Sequence, residues 1–70
     1  MTYNDFVGMV QREFGEWQKV DSTYRYGQCM FNLLAGCRPD IAERIRSTKV
    51  DPFYKEYVSQ DTWEFVQQNW

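Results

Sequence analysis

The sequence predicts an all-α fold: a compact single domain over residues 1–70, with four to five short helices around a central helix at 22–36. Three observations carry this. In several segments, apolar residues recur at three- and four-residue spacing, the repeat of a helix turning about 100° per residue. Helix-starting residues (Thr, Asp, Ser and Pro) stand where those segments begin. The 70 residues hold one domain at most, and no repeat, low-complexity tract or linker divides them.

The first helix is expected from Thr2 to Lys19, capped by Thr2 or Asn4, with Asp5 in the first turn where the helix dipole favours an anion. Tyr3, Phe6, Val7, Val10, Phe14 and Trp17 form one apolar stripe, and Met9 flanks it as a contact point. Gln11, Arg12, Gln18 and Lys19 lie opposite, with Gly8 and Gly15 among them. Val20 to Thr23 then make a short turn, which predicts near-antiparallel neighbours.

The central helix has Asp21, Ser22 and Thr23 as alternative N-caps and Gly36 as its stop, with Pro39 preventing continuation. Tyr26, Met30, Leu33, Leu34 and Cys37 cluster on one side, and Tyr24 and Phe31 widen it enough to touch more than one neighbour. The other side carries Arg25, Gln28, Cys29 and Asn32. It reads as a solvated face, a structural polar network or a partner-binding face. Gly27 lowers the helix propensity by about 1 kcal/mol relative to Ala, which a close-lying backbone would explain.

A third helix is expected over Arg38 to Ser47, with Pro39 at its first position, Ile41, Ala42 and Ile45 inward, and Arg44 and Arg46 near its end. Asp51-Pro52-Phe53-Tyr54 reads as an N-cap with Pro at N1, starting a short helix through Val58. Asp51 receiving Arg25 in a bidentate pair is a second reading, and a linear adaptor-binding motif of the Asp-Pro-Phe type a third. Asp61 and Glu64 resemble a capping box for a last helix, where Trp63, Val66 and Trp70 share a face with Phe65 beside them.

Composition narrows the chemistry. A net charge of −2 and a pI near 4.9 disfavour nucleic acid. The basic cluster Arg38, Arg44, Arg46, Lys49 is interrupted by Asp40 and Glu43. No run suits a membrane span or a signal peptide, so an intracellular protein is expected. Cys29 and Cys37 on one helix would lie about 12 Å apart, too far to bridge, and are expected as free thiols. With no histidine, a zinc site and ordinary acid–base catalysis lose their usual residue. Arg25 lies one turn from Cys29, but an inert buried thiol is the expectation. Asp40 and Glu43 make a thin cation site. No catalytic residue, cofactor or metal is therefore assigned. Aromatic residues make up 19% of the chain, which serves either a small core or an interface.

The combination Arg25-Tyr26-Gly27-Gln28, Phe31-Asn32-x-Leu34, Pro39-Asp40, Thr48 and Asp51-Pro52-Phe53-Tyr54 resembles a group of small uncharacterised proteins. These occur in tailed bacteriophages, including cyanophages, and in bacterial genomes carrying phage-like genes. The resemblance covers residues 25–54 well and the two ends loosely; after Tyr54, Lys55-Glu56 replaces the usual acidic segment. It implies a phage-encoded accessory protein in the host cytoplasm and carries no established chemistry.

The expected function is a non-enzymatic interaction module that binds and modulates a host protein of unknown identity. Its contact residues are expected to be Met9, Trp17, Trp63, Phe65 and Trp70, and its structural polar network Arg25, Gln28, Asn32 and Asp51. Trp70→Ala is then expected to abolish partner binding at little cost in stability. The alternatives are a structural component or homo-oligomer of a phage complex, and a helical nucleic-acid binder using Arg38, Arg44 and Arg46.

Overall fold

The computed structural model describes residues 1–70 as four helices and no strand: α1 (Tyr3–Val20), α2 (Tyr26–Cys37), α3 (Pro39–Ile45) and α4 (Gln60–Asn69). α1 begins with a reciprocal cap. The Asp5 N–H donates to Thr2 Oγ1 and the Thr2 N–H donates to Asp5 Oδ2, both at 3.1 Å. At its far end the Asp21 N–H reaches the Trp17 carbonyl at 2.8 Å.

The central helix starts later than the expected residue 22. Asp21 Oδ1 accepts from the Thr23 N–H at 3.0 Å and from its hydroxyl at 2.6 Å, so Asp21 closes a turn instead of capping a helix. Arg25, at φ −87° and ψ 144°, is the N-cap and gives no side-chain cap. A carbonyl from elsewhere takes that role, since the Gly27 N–H donates to the Lys55 oxygen at 3.1 Å. α2 also continues through Gly36, because no glycine here has positive φ. It ends at Cys37, and Arg38 alone separates it from Pro39 of α3.

α2 packs against both α1 and α3. The core joins Phe6 and Val10 of α1, Met30, Phe31 and Leu34 of α2, Ile41, Ala42 and Ile45 of α3, and Val66 of α4. Within the expected stripe of α2, Leu33 is only half-buried and Cys37 is exposed, whereas Cys29 and Phe31 are buried. The buried face is turned toward Phe31 because residues 46–59, hereafter the strap, cover that side through Phe53.

The strap contains no helix, contrary to the expectation for residues 51–58. Asp51 organises two turns. Its Oδ2 accepts the Ser47 N–H at 2.7 Å and its Oδ1 the Phe53 N–H at 2.9 Å. The Pro52 carbonyl then accepts the Lys55 N–H at 2.8 Å, one tight turn with no continuation. Ser47, just past α3, sits at φ 62°. The strap joins α4 where buried Thr62 donates its hydroxyl to the Val50 carbonyl at 2.7 Å. α4 is capped by Ser59, whose Oγ accepts the Thr62 N–H at 3.2 Å, which leaves Asp61 in the first turn and no Asp61–Glu64 box. No helix is long and apolar enough to cross a membrane.

Candidate functional site

The structure takes most of the expected contact aromatics into the fold. Trp63 meets Tyr3 and Phe6 edge to face, each at 6.3 Å. Trp70 lies 5.1 Å from Phe6 and 6.2 Å from Tyr3, and its indole N–H donates to the Met1 carbonyl at 3.2 Å. Phe65 is covered by the Arg44 guanidinium at 5.3 Å. Met9 is half-buried against the core. Only Trp17 stays substantially in solvent, at 48% exposure, resting on the Tyr24 ring at 5.3 Å. Val20 beside it is 78% exposed. Together with Glu13 and Glu16 these two residues line an open hollow of about 280 Å³.

The basic edge of α3 is turned onto the protein itself. Arg38 pairs with Asp40 at 2.9 Å, lies over the Trp70 ring at 5.3 Å and donates to the backbone oxygens of Asn69 and Trp70. It thereby satisfies carbonyls at the C-terminal end of α4 with a cation, as the helix dipole favours. Arg44 donates to Asn69 Oδ1 at 2.7 Å. Arg46 pairs with Glu43 at 3.1 Å and lies over Phe31 at 5.2 Å. Asp40 and Glu43 therefore face different arginines and do not converge on a cation, and no three metal-binding side chains gather anywhere.

The expected polar network does not close. Asn32 donates to the Tyr24 hydroxyl at 3.1 Å, while the Arg25 guanidinium reaches the Phe53 carbonyl at 3.5 Å. Gln28, half-buried, makes no side-chain hydrogen bond. Arg25 and Asp51 do not pair: the Asp51 oxygens turn to the Ser47 and Phe53 N–H groups, while the Arg25 guanidinium turns to the Phe53 carbonyl. Arg25 Nε is buried without a partner. Its guanidinium instead holds the strap, lying 5.9 Å from the Tyr54 ring.

Burial pushes the Cys29 thiol above its ordinary pKa, and the charge of Glu13 adds to this. A thiol held protonated is a poor nucleophile, and the Arg25 guanidinium turns to the Phe53 carbonyl of the strap. Cys37 is exposed and free.

Residue-level reading missed Tyr54 and Tyr57, which are 81% and 60% exposed on the strap. Both fall in the short helix expected through Val58, and that reading did not mark them as exposed. The signal that could have placed them is the Asp-Pro pair, which serves a turn as readily as a helix start. Tyr54 borders a second hollow, of about 250 Å³, between the end of α3 and the strap. No protein-family model, no curated protein and no solved structure matches this chain.

Proposed function

We propose that the chain is a non-enzymatic interaction module, a phage accessory protein that binds a host protein in the host cytoplasm and modulates it. The observation that carries this is the last two turns of α1, where Trp17 and Val20 stand in solvent beside two glutamates. Tryptophan is the side chain most enriched at interface hot spots. A domain this small has little core, so a half-exposed tryptophan withholds burial that the fold would otherwise use. The resemblance over residues 25–54 and the absence of histidine support the same reading. This reading puts the contact surface at Trp17, since Trp63, Phe65 and Trp70 pack inward.

The test is affinity capture from host lysate with the tagged protein beside its Trp17→Ala variant, with sedimentation velocity on both. One host protein, enriched by the parent and lost with a variant of unchanged melting temperature, is the expected result. Recovery of the protein alone, with a concentration-dependent dimer that Trp17→Ala abolishes, would instead make it an assembly component. Equal capture by both would move the contact away from Trp17.

A further inference from the structure

We infer that the open hollow at the end of α1 takes an arginine side chain from a basic segment of the partner protein, an inference that rests on the Trp17 surface proposed above. Glu13, Glu16, Trp17 and Val20 line it. At about 280 Å³ it falls just below the range of about 300–1,000 Å³ in which small-molecule pockets lie, so it suits one side chain of a larger partner.

Its apolar part matches the stem and the head of such a side chain. Trp17 leans on the Tyr24 ring at 5.3 Å and presents the rest of the indole to solvent beside Val20. Arginine lays its methylenes along apolar surface, and indole is the ring that attracts a cation most strongly. The fold already uses this pairing elsewhere. Arg25, Arg38, Arg44 and Arg46 each lie within 5.9 Å of an aromatic ring. Trp17 is the most exposed of the three tryptophans, and no cation of the chain lies over it.

The charge around that ring is predominantly of one sign. Glu13 makes no ion pair. Glu16 meets only Lys19, at 3.3 Å, and both side chains are 71% exposed, so water screens the pair and leaves it weak. Arg12 is turned toward the start of the helix, its Nη1 lying 3.3 Å from where a Cβ on Gly8 would stand. Residues 13–21 thus hold three carboxylates against one ammonium, an excess as large as that of the whole chain. An acidic segment would be repelled. A second copy fits poorly, because a twofold axis through this face would set the same carboxylates against each other. Four of the five arginines a copy could offer already lie on its own rings.

The test is an NMR titration of the full chain with acetyl-Arg-Leu-Arg-amide and its neutral isostere, in which citrulline replaces both arginines. The indole N–H signal of Trp17, identified by its absence in Trp17→Phe, is followed beside the backbone amides. Saturable shifts are expected at Glu13, Glu16, Trp17 and Val20, with the arginine peptide bound about fivefold more tightly at low salt. Salt should shrink that preference. Glu13→Gln with Glu16→Gln should remove it. Lys19→Gln, which frees Glu16 and takes away the one cation nearby, should tighten the arginine peptide about twofold. Equal affinity for the two peptides, no saturable shift, shifts centred elsewhere, or weaker binding by Lys19→Gln would overturn the inference. So would the same shifts on concentrating the protein alone, since a second copy would then be the occupant. Capture from host lysate separates this failure from that of the Trp17 surface. A host protein lost with Trp17→Ala but kept by the double glutamine variant would refute the arginine and leave the surface standing, whereas one kept by Trp17→Ala would remove both.

Discussion

Gly27 decides how the strap meets the central helix. A Cβ built there would lie 2.0 Å from the Pro52 oxygen and 2.7 Å from the Lys55 oxygen, both backbone atoms that cannot swing away. The same residue donates its N–H to Lys55, so the absent side chain and the missing helix cap have one cause. The neighbouring Arg25 works on the strap as well, but through the Phe53 carbonyl and not through a carboxylate. A double-mutant cycle of Arg25→Ala and Asp51→Ala is therefore expected to give a coupling of no more than about 0.5 kcal/mol, carried by Phe53, which both side chains hold. A larger coupling, measured by urea unfolding, would restore the ion pair. The cost of a glycine inside the helix offered a close-lying backbone as the explanation of Gly27. Spacing could not show that Asp51 turns to the Ser47 and Phe53 N–H groups, because that depends on the left-handed turn after α3.

The starts of α1 and α3, set by neighbouring residues, were legible; the cap of α4 was read two residues late, at Asp61 instead of Ser59, and the start of α2 is set by a distant residue. α1 follows from its stripe and from Thr2 and Asp5, four residues of local chemistry. α3 follows from Pro39. α2 begins four residues later than its sequence suggests, because its cap comes from Lys55, twenty-eight positions after Gly27. The strap lost its expected helix to the Asp51 turns, whose anchor at Ser47 lies outside the motif itself. The α1 cap has a pH signature. Bonds from the Thr2 N–H and then its hydroxyl hold the Asp5 carboxyl below its ordinary pKa, as Thr23 does for Asp21 and Arg38 for Asp40. A carboxyl lowered in the folded state contributes stability above its unfolded pKa, about 3.9, and loses it as the pH falls through the folded value. The melting temperature is thus expected to drop below about pH 4, with a shallower acid slope for Asp5→Asn. An unchanged slope would remove the cap from the account.

The whole molecule is closed by contacts between residues far apart in the chain. Trp70 bonds to Met1 and packs on Phe6, and Arg38 gathers the last carbonyls of α4, so α4 closes over the first turns of α1. Helical spacing put Trp63 and Trp70 on one face, but whether that face looked inward required knowing that Tyr3 and Phe6 stand opposite. Trp70→Ala is expected to lower stability by about 2 kcal/mol, somewhat less than the 3–5 of a fully buried ring. A near-neutral change, with partner capture lost, would return Trp70 to the surface. The strap seals the other side of α2 and builds the aromatic hollow with Phe31 and Arg46. That closure is the centre of the account, and Gly27→Ala measured by urea unfolding tests it most directly. Helix propensity alone would make this variant more stable by about 1 kcal/mol. The close approach of two strap carbonyls predicts the opposite sign, a loss of about 2 kcal/mol or more as the strap is forced off the helix. A variant as stable as the parent, or more so, would mean that the strap does not rest on Gly27.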